Sequence, residues 1–185
     1  MQGKDNSALD IVVKRGRIYG DMDIYGKYSD QGDYSTDATS IGVEYSKRFD
    51  GGNNVYFEPQ AQLTFGRIDG YDYVSAKGIR VAYDDINSLI GRLGIVGGKA
   101  FSRGDVYVKA SLLHEFSGDS SVTMLAANGE SYMEDQDYGD TWLEVGIGGN
   151  ITLGKNCELY GEVERSFGGD VTKNWGANVG FRYSF

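Results

Sequence analysis

Proline, cysteine, long apolar runs and clustered positive charge are all scarce in this 185-residue chain, and each scarcity removes a class of protein. A helix that spans a bilayer needs about 20 mostly apolar residues, and no stretch of this sequence approaches that. The one cysteine, Cys157, rules out an intrachain disulfide and a metal site built from thiolates. A formal charge of −9 without any basic stripe argues against nucleic acid as a partner, because phosphate binding is driven largely by clustered Lys and Arg. The opening residues, MQGKDNSALD, are polar and lack the apolar core of a secretion signal. Either the chain works where it is made, or it is a piece of something longer. The lack of an apolar helix does not exclude a membrane, since a barrel strand spends only alternate residues on lipid and a mean hydropathy of −0.41 is then unremarkable.

What is abundant is glycine, 28 of 185 residues, together with 14 tyrosines. Glycine at roughly twice ordinary usage, scattered among tyrosines rather than in repeats, points to close-packed strands. Alternation confirms the direction. The chain ends NWGANVGFRYSF, in which Trp175, Ala177, Val179, Phe181, Tyr183 and Phe185 oppose Gly176, Asn178, Gly180, Arg182 and Ser184. Side chains of a strand point alternately to its two faces, so this segment has one apolar and one polar face.

Roughly ten such runs follow one another, each about as long as a strand crossing a bilayer obliquely. Leu9 to Tyr19 is the first and Thr39 to Phe49 the second, the latter opposing Ile41, Val43 and Tyr45 to Glu44 and Arg48. In VYFEPQAQLTFG, Val55, Phe57, Ala61, Leu63 and Phe65 oppose Tyr56, Glu58, Gln60, Gln62 and Thr64; Pro59, with no N–H, predicts a bulge. A short run from Gly78 to Tyr83 precedes one in which Leu89, Leu93 and Ile95 face away from Arg92. Next, Val106, Val108, Ala110, Leu112 and Phe116 oppose Lys109 and Glu115, and a brief run covers Ser121 to Leu125. Finally, Leu143, Val145 and Ile147 oppose Glu144, Leu159 and Val163 oppose Glu162 and Glu164, and the terminal segment opposes Val179 to Arg182.

Alternation alone fits two architectures. In a soluble sandwich the apolar face is the core and the polar face meets water. In an outer-membrane barrel the apolar face meets lipid, and the polar face lines a hydrated lumen where charges of both signs pair. Connection lengths favour the barrel: GKN, SGDS, DD and DGGNN are tight, whereas FGGDVTKN, MEDQDYGD, DGYDYVSAKG and the segment from Gly20 to Ala38 are looser. Short periplasmic turns alternating with longer external loops are the mark of an up-and-down meander across a bilayer. Counted back from a periplasmic C-terminus, SRGD falls outside as an exception and His114 at the periplasmic end of its strand. Tyr56, Phe116, Trp142, Phe167 and Trp175 fit aromatic girdles at the interfaces.

The segments VYFEPQAQLTFGRI, SLIGRLGI, VYVKASLLHEF, TWLEVGIGGN, LYGEVERSFGGDV and NVGFRYSF, in that order, resemble the C-terminal translocator domain of classical autotransporters of Gram-negative bacteria. The resemblance implies an all-β, antiparallel up-and-down transmembrane barrel of about twelve strands, of which about ten are expected here. On that expectation residues 1–8 are a polar lead-in and residues 9–185 the barrel, without the linker helix, the first two strands, the passenger and the signal peptide. It further implies a bacterial outer-membrane location and an assembly signal at Phe181, Tyr183 and Phe185. The implied partners are outer-membrane lipid and lipopolysaccharide, the barrel-assembly machinery, and a passenger polypeptide exported by the complete protein. Val55, Phe57, Leu63, Val108, Leu112, Val145, Ile147 and Val179 are expected to face lipid. Glu44, Arg48, Glu58, Gln60, Gln62, Arg92, Lys109, Glu115, Glu144, Glu162, Glu164 and Arg182 are expected to face the lumen.

The alternative readings are a small structural or pore-forming outer-membrane barrel and an omptin-like protease. The protease needs an acidic pair and an Asp–His pair near the external rim. His114 and Glu115 are adjacent in a strand, so their side chains diverge, and no catalytic residue is assigned. EDQD and DGYDY lack the ligand spacing of a calcium loop and read as solvated external loops. No cofactor or metal is expected.

Overall fold

The structure, a computed structural model, describes residues 5–25, 29–126, 128–136, 138–154, 156–169 and 174–184. The strands are β1 (Ser7–Ile24), β2 (Asp30–Lys47), β3 (Phe49–Asp50), β4 (Val55–Ile68), β5 (Tyr71–Val74), β6 (Arg80–Tyr83), β7 (Ile86–Phe101), β8 (Gly104–Glu115), β9 (Ser120–Leu125), β10 (Ser131–Gln136), β11 (Thr141–Thr152), β12 (Cys157–Phe167) and β13 (Gly176–Tyr183). All pairings are antiparallel. The main sheet runs β1-β2-β4-β7-β8-β11-β12-β13, with β3 beside β4, and curls into a half-barrel wall.

The ten alternating runs of the sequence all lie in strands, but only eight of them cross the wall. Residues 69–85 and 116–140 leave it to form the hairpins β5–β6 and β9–β10, and β6 pairs with β9 to join them in a second sheet ordered β10-β9-β6-β5. This sheet marks one end of the wall, called here the rim; the turns around residues 51–54, 102–103 and 153–156 mark the other. SRGD is therefore a turn on the same side as GKN and DGGNN, and His114 sits at the rim end of β8, not at the opposite end. Counting the two rim runs as wall strands reversed the side assigned to everything between them. EDQD and DGYDY, expected as loops, contribute to β10 and β5, where Asp72 pairs with Arg80 at 2.7 Å and Asp69 with Arg67 at 2.9 Å.

Pro59 also departs from expectation. Its register with Ile95 on β7 is unbroken, and no extra residue is inserted on either side. The β2 ladder instead lapses opposite it, after Ser46↔Gln60, and resumes as β3 at Phe49↔Phe57. A residue without an N–H has interrupted pairing without shifting it.

The rim is anchored by β1 and β2, which at 18 residues each outrun the 9–11 needed to cross a bilayer obliquely. Tyr34 of β2 stacks on Tyr71 at 4.2 Å between ring centroids, and Tyr71 on Tyr83 at 4.7 Å. Tyr34 shares its face with Glu44, so the rim sheet rests against the inner side of the β1–β2 ribbon. Asp30 completes the joint: one carboxylate oxygen accepts the N–H of Gln31 at 3.0 Å and of Lys77 at 3.1 Å. These bonds, and above all one from the Ser75 hydroxyl, hold the Asp30 carboxyl below the usual carboxylate range.

The many glycines have a place in the wall. Tyr56 lies opposite Gly98, Tyr107 opposite Gly148 and Tyr160 opposite Gly180, and a Cβ on any of these glycines would overlap the facing ring. Each ring lies flat across the neighbouring strand, the arrangement by which aromatics cover glycine backbone in sheets. Replacing Gly98 with Ala is expected to lower stability in detergent by about 1–3 kcal/mol through this overlap, whereas Gly97→Ala, with open space around it, leaves the urea midpoint nearly unchanged. Equal midpoints for the two variants would remove the packing role. For Asp30 the direction of the shift sets the sign: its contribution is present above the unfolded carboxyl pKa and is lost as pH falls through the lower folded value. Acidification is therefore expected to lower the protection factor of the Lys77 amide, taken against its intrinsic exchange rate at each pH, and the Asp30→Asn variant to abolish that pH dependence.

Candidate functional site: a charged inner face behind an apolar outer one

Two faces of one sheet make the site. On the outer face, Val55, Phe57, Leu63, Val108, Leu112, Ile147 and Val179 are all exposed, Val179 at 78% and Ile147 at 61%, while Val145 is half-buried. Among the described residues only three hydrophobic side chains are buried, Tyr56, Val81 and Leu113, and none is on this face of the wall. A soluble sandwich would bury the odd-numbered residues of β4, β7, β11 and β13 against a second sheet. Among the described residues none covers them, and an apolar surface this continuous needs an apolar medium.

The inner face is polar and satisfied. It encloses a groove of about 510 Å³ whose lining includes Arg48, Glu58, Gln60, Gln62, Arg92, Lys109, Glu144 and Glu162. Arg92 on β7 is the hub of one cluster: its guanidinium meets Glu44 at 2.7 Å and donates to Gln62 at 2.8 Å, Gln60 at 3.1 Å and the Ser111 hydroxyl at 3.2 Å. Lys109 on β8 is the hub of the other, bridging Glu162 and Glu164 across β11; the second contact is 2.9 Å. The distance is spanned because the intervening residue is Gly146, whose missing side chain leaves room for the lysine stem. Tyr107 donates to Glu162 at 2.8 Å.

Two sequence-predicted residues stand apart from the groove. Glu115 is buried at the rim, where it accepts from the Ser88 hydroxyl at 2.5 Å and from the N–H groups of Leu89 and Ser117 at 2.7 and 3.1 Å. Its work is to tie the end of β8 to the start of β7. Arg182, at the turn end of β13, pairs with Glu158 at 3.2 Å with most of its side chain exposed.

Sequence reasoning missed a third group near the turn end. The Tyr56 hydroxyl donates to Asp105 at 2.9 Å, Asn150 donates to the other Asp105 oxygen at 2.7 Å, and Arg48 stacks over the Tyr56 ring at 3.6 Å. Tyr56 and Trp142 were expected in the aromatic girdles, but both lie on the inner face, where Trp142 donates to Glu144 at 3.3 Å. The signal was their parity: each stands in register with polar residues. Phe116, Phe167 and Trp175 are exposed as a girdle requires.

His114 is on the outer face. Its Nδ1 lies 2.7 Å from the Thr141 hydroxyl, and Phe116 meets the imidazole edge-on at 4.5 Å. Adjacent Glu115 turns to the opposite face, so the two form no acid–base pair.

A curled antiparallel wall with an apolar exterior and an ion-paired interior is the wall of a transmembrane β-barrel. The family model for the autotransporter β-domain matches residues 1–164, and the chain belongs to that family. It is 32% identical to the pertactin autotransporter of Bordetella parapertussis over 184 residues, 96% of this chain and 19% of that protein. It is 31% identical to the BrkA autotransporter of Bordetella pertussis, over 96% of this chain and 18% of that one. The serine protease EspP of Escherichia coli is 31% identical over 83% of this chain and 12% of its own length. The chain thus spans about a fifth or less of these relatives. The crystal structure of the β-domain of BrkA matches with a TM-score of 0.71 and 26% identity, covering all of this chain and 69% of that one.

Arg92→Met removes the cation and its hydrogen bonds from a partly enclosed cluster and is expected to cost about 1–3 kcal/mol in urea unfolding from micelles. Arg182→Met, at a mostly exposed pair, is expected to stay within about 0.5 kcal/mol. The reverse ranking would show that the inner clusters do not stabilise the wall.

Proposed function

We propose that this chain serves as the outer-membrane translocator of an autotransporter and supports export of a passenger polypeptide joined upstream. One observation carries the reading: the same strands expose apolar residues on one side and bind their charges to one another on the other. Such a wall is stable with lipid outside and water inside, and the hydrated side supplies a polar path for an extended chain.

The mechanism is topological and non-enzymatic. Val55, Phe57, Leu63, Val108, Leu112, Val145, Ile147 and Val179 hold the wall in hydrocarbon. The lumen residues, from Glu44 and Arg92 on one side to Lys109, Glu162 and Glu164 on the other, keep the path open and wet. Residues 9–185 act as the barrel unit, and Phe181, Tyr183 and Phe185 form the signal for the barrel-assembly machinery. Phe181 and Tyr183 support this reading by being exposed side by side on the outer face of β13; Phe185 lies outside the described residues. The protease names of some relatives belong to those proteins, and the outer-face position of His114 does not favour an omptin-like reaction here.

The test is made in cells expressing the full natural chain. Deleting Phe185 is expected to reduce the heat-modifiable, membrane-integrated fraction several-fold and, with it, the share of upstream polypeptide cleaved by protease added outside. A protein that remains monomeric and structured in buffer without detergent, with Ile147 and Val179 protected from solvent, would refute the reading.

A further inference from the structure

Two excursions leave the wall, and their roots meet at one joint. Residues 69–85 return into β7 and residues 116–140 depart from β8, so the paired rim ends of β7 and β8 carry one leg of each hairpin. The two hairpins are not equally supported. The β5–β6 hairpin is fastened to β2: the Thr36 hydroxyl donates to the Asp69 carbonyl, the Asp69 N–H to the Asp37 carbonyl at 2.9 Å, and the Ala76 N–H to the Gln31 carbonyl at 2.9 Å. In the β9–β10 hairpin, by contrast, all six residues of β10 are exposed. That hairpin stands on β6 along one side and on its own two legs below.

Glu115 gathers both legs. Its main-chain N–H donates to the Asp140 carbonyl at 2.8 Å and holds the returning leg. Its buried carboxylate accepts the Ser117 N–H of the departing leg at 3.1 Å, and the same oxygen accepts the Leu89 N–H of β7 at 2.7 Å. The other oxygen accepts the Ser88 hydroxyl at 2.5 Å. One side chain thus bridges wall and hairpin directly. Space around it is closed as well: a Cβ on Gly118 would stand 2.8 Å from the Cβ of Tyr138 on the returning leg and 3.4 Å from the Cγ of Glu115.

We infer that Glu115 is a positioning residue for export: its side chain fixes the stance of the β9–β10 hairpin at the lumen mouth, and passage of an upstream polypeptide requires it whereas insertion of the wall does not. The inference rests on the translocator reading. The rim sheet lies against the inner side of β2, where Tyr34 stacks on Tyr71, so a hairpin that turns about its root moves relative to the polar path. The wall is insulated from the change because Ile90↔Glu115 is the last rung of the β7–β8 ladder at the rim end. Truncating the side chain takes the carboxylate from both N–H groups, but Leu89 also donates to the Ser117 carbonyl, at 3.3 Å. The loss therefore falls on Ser117, the first step of the departing leg, and a main-chain N–H stripped of its acceptor favours local opening. All three donors to the carboxylate are neutral groups. A glutamine can replace it, its oxygen accepting the two N–H groups and its amide donating to the Ser88 hydroxyl.

The experiment reads insertion and export separately in cells expressing the full natural protein. Glu115→Ala is expected to keep the heat-modifiable, membrane-integrated fraction close to that of wild type and to lower several-fold the share of upstream polypeptide cleaved by protease added outside. In the purified protein it is expected to speed amide exchange in Ser120–Leu125 and Ser131–Gln136 by about tenfold, while Tyr71–Val74 keeps its protection. Glu115→Gln is expected to restore both export and protection. Gly118→Val alters no wall residue but forces the legs apart, and it is expected to give the same split; it decides the matter where Glu115→Ala fails to integrate. Wild-type export by an integrated Glu115→Ala protein, export that falls only in proportion to integration in both variants, or a Glu115→Gln protein no better than Glu115→Ala would each overturn the proposal. An integrated wild-type barrel that exports nothing would instead strike at the translocator reading, and the inference would fall with it.

Discussion

Register parity is the constraint on which the rest of this structure depends. In an antiparallel ladder a slip of one residue sends every side chain of a strand to the other face, and across this wall the faces are as unlike as they can be. From β1 to β7 odd-numbered residues pair with odd-numbered ones, as in Ile11↔Val43, Val43↔Leu63 and Leu63↔Gly91. At the tight turn Phe101↔Gly104 the parity inverts, so that Leu93 meets Leu112, and at β11 it inverts back as Leu112 meets Leu143. Each junction preserves one apolar surface, because a single error would place Arg92 or Lys109 in hydrocarbon at a cost of several kcal/mol.

Glycine and tyrosine secure that register from the inside. Tyr56 over Gly98, Tyr107 over Gly148 and Tyr160 over Gly180 are cross-strand pairs, and a ring that fits only where the opposite residue lacks a Cβ will not fit after a slip. The same rings carry hydroxyls into the polar network, Tyr56 to Asp105 and Tyr107 to Glu162. Packing and hydrogen bonding therefore select the same alignment, which is how a sequence avoids competing registers. Pro59 shows how firmly it is selected: a lost ladder bond leaves the alignment with Ile95 intact.

The two faces were legible in the sequence because period two is a local property, visible in VYFEPQAQLTF without knowledge of any partner strand. Membership in the wall was not. Runs such as Ser121 to Leu125 alternate like any strand, and nothing local says that β9 will pair with β6 rather than with β8. Treating them as wall strands placed His114 at the wrong end. Tyr56 and Trp142 were misread for another reason: aromatic character suggested an interface, whereas their parity already placed them inside. Most of the sequence-level group Glu44 to Glu164 shares the inner face, but which of them form a cluster depends on Gly146 leaving no side chain in the path of Lys109, a relation across three strands.

The pairing inside the wall bears on how a polypeptide could pass it. The groove is lined by Arg48, Arg92 and Lys109 on the basic side and by Glu58, Asp105, Glu144 and Glu162 on the acidic side, a near balance despite the chain's charge of −9. Paired charges present short-range dipoles whose field dies away within a few ångströms of hydrated space, screened further by salt. An unpaired ring of one sign would capture any segment of the opposite sign and repel its own. A path for a chain of arbitrary sequence needs neither, since binding strong enough to hold a segment would stop the next from following. Further acid lies outside the groove, with Glu134 and Asp135 in the rim hairpin β9–β10.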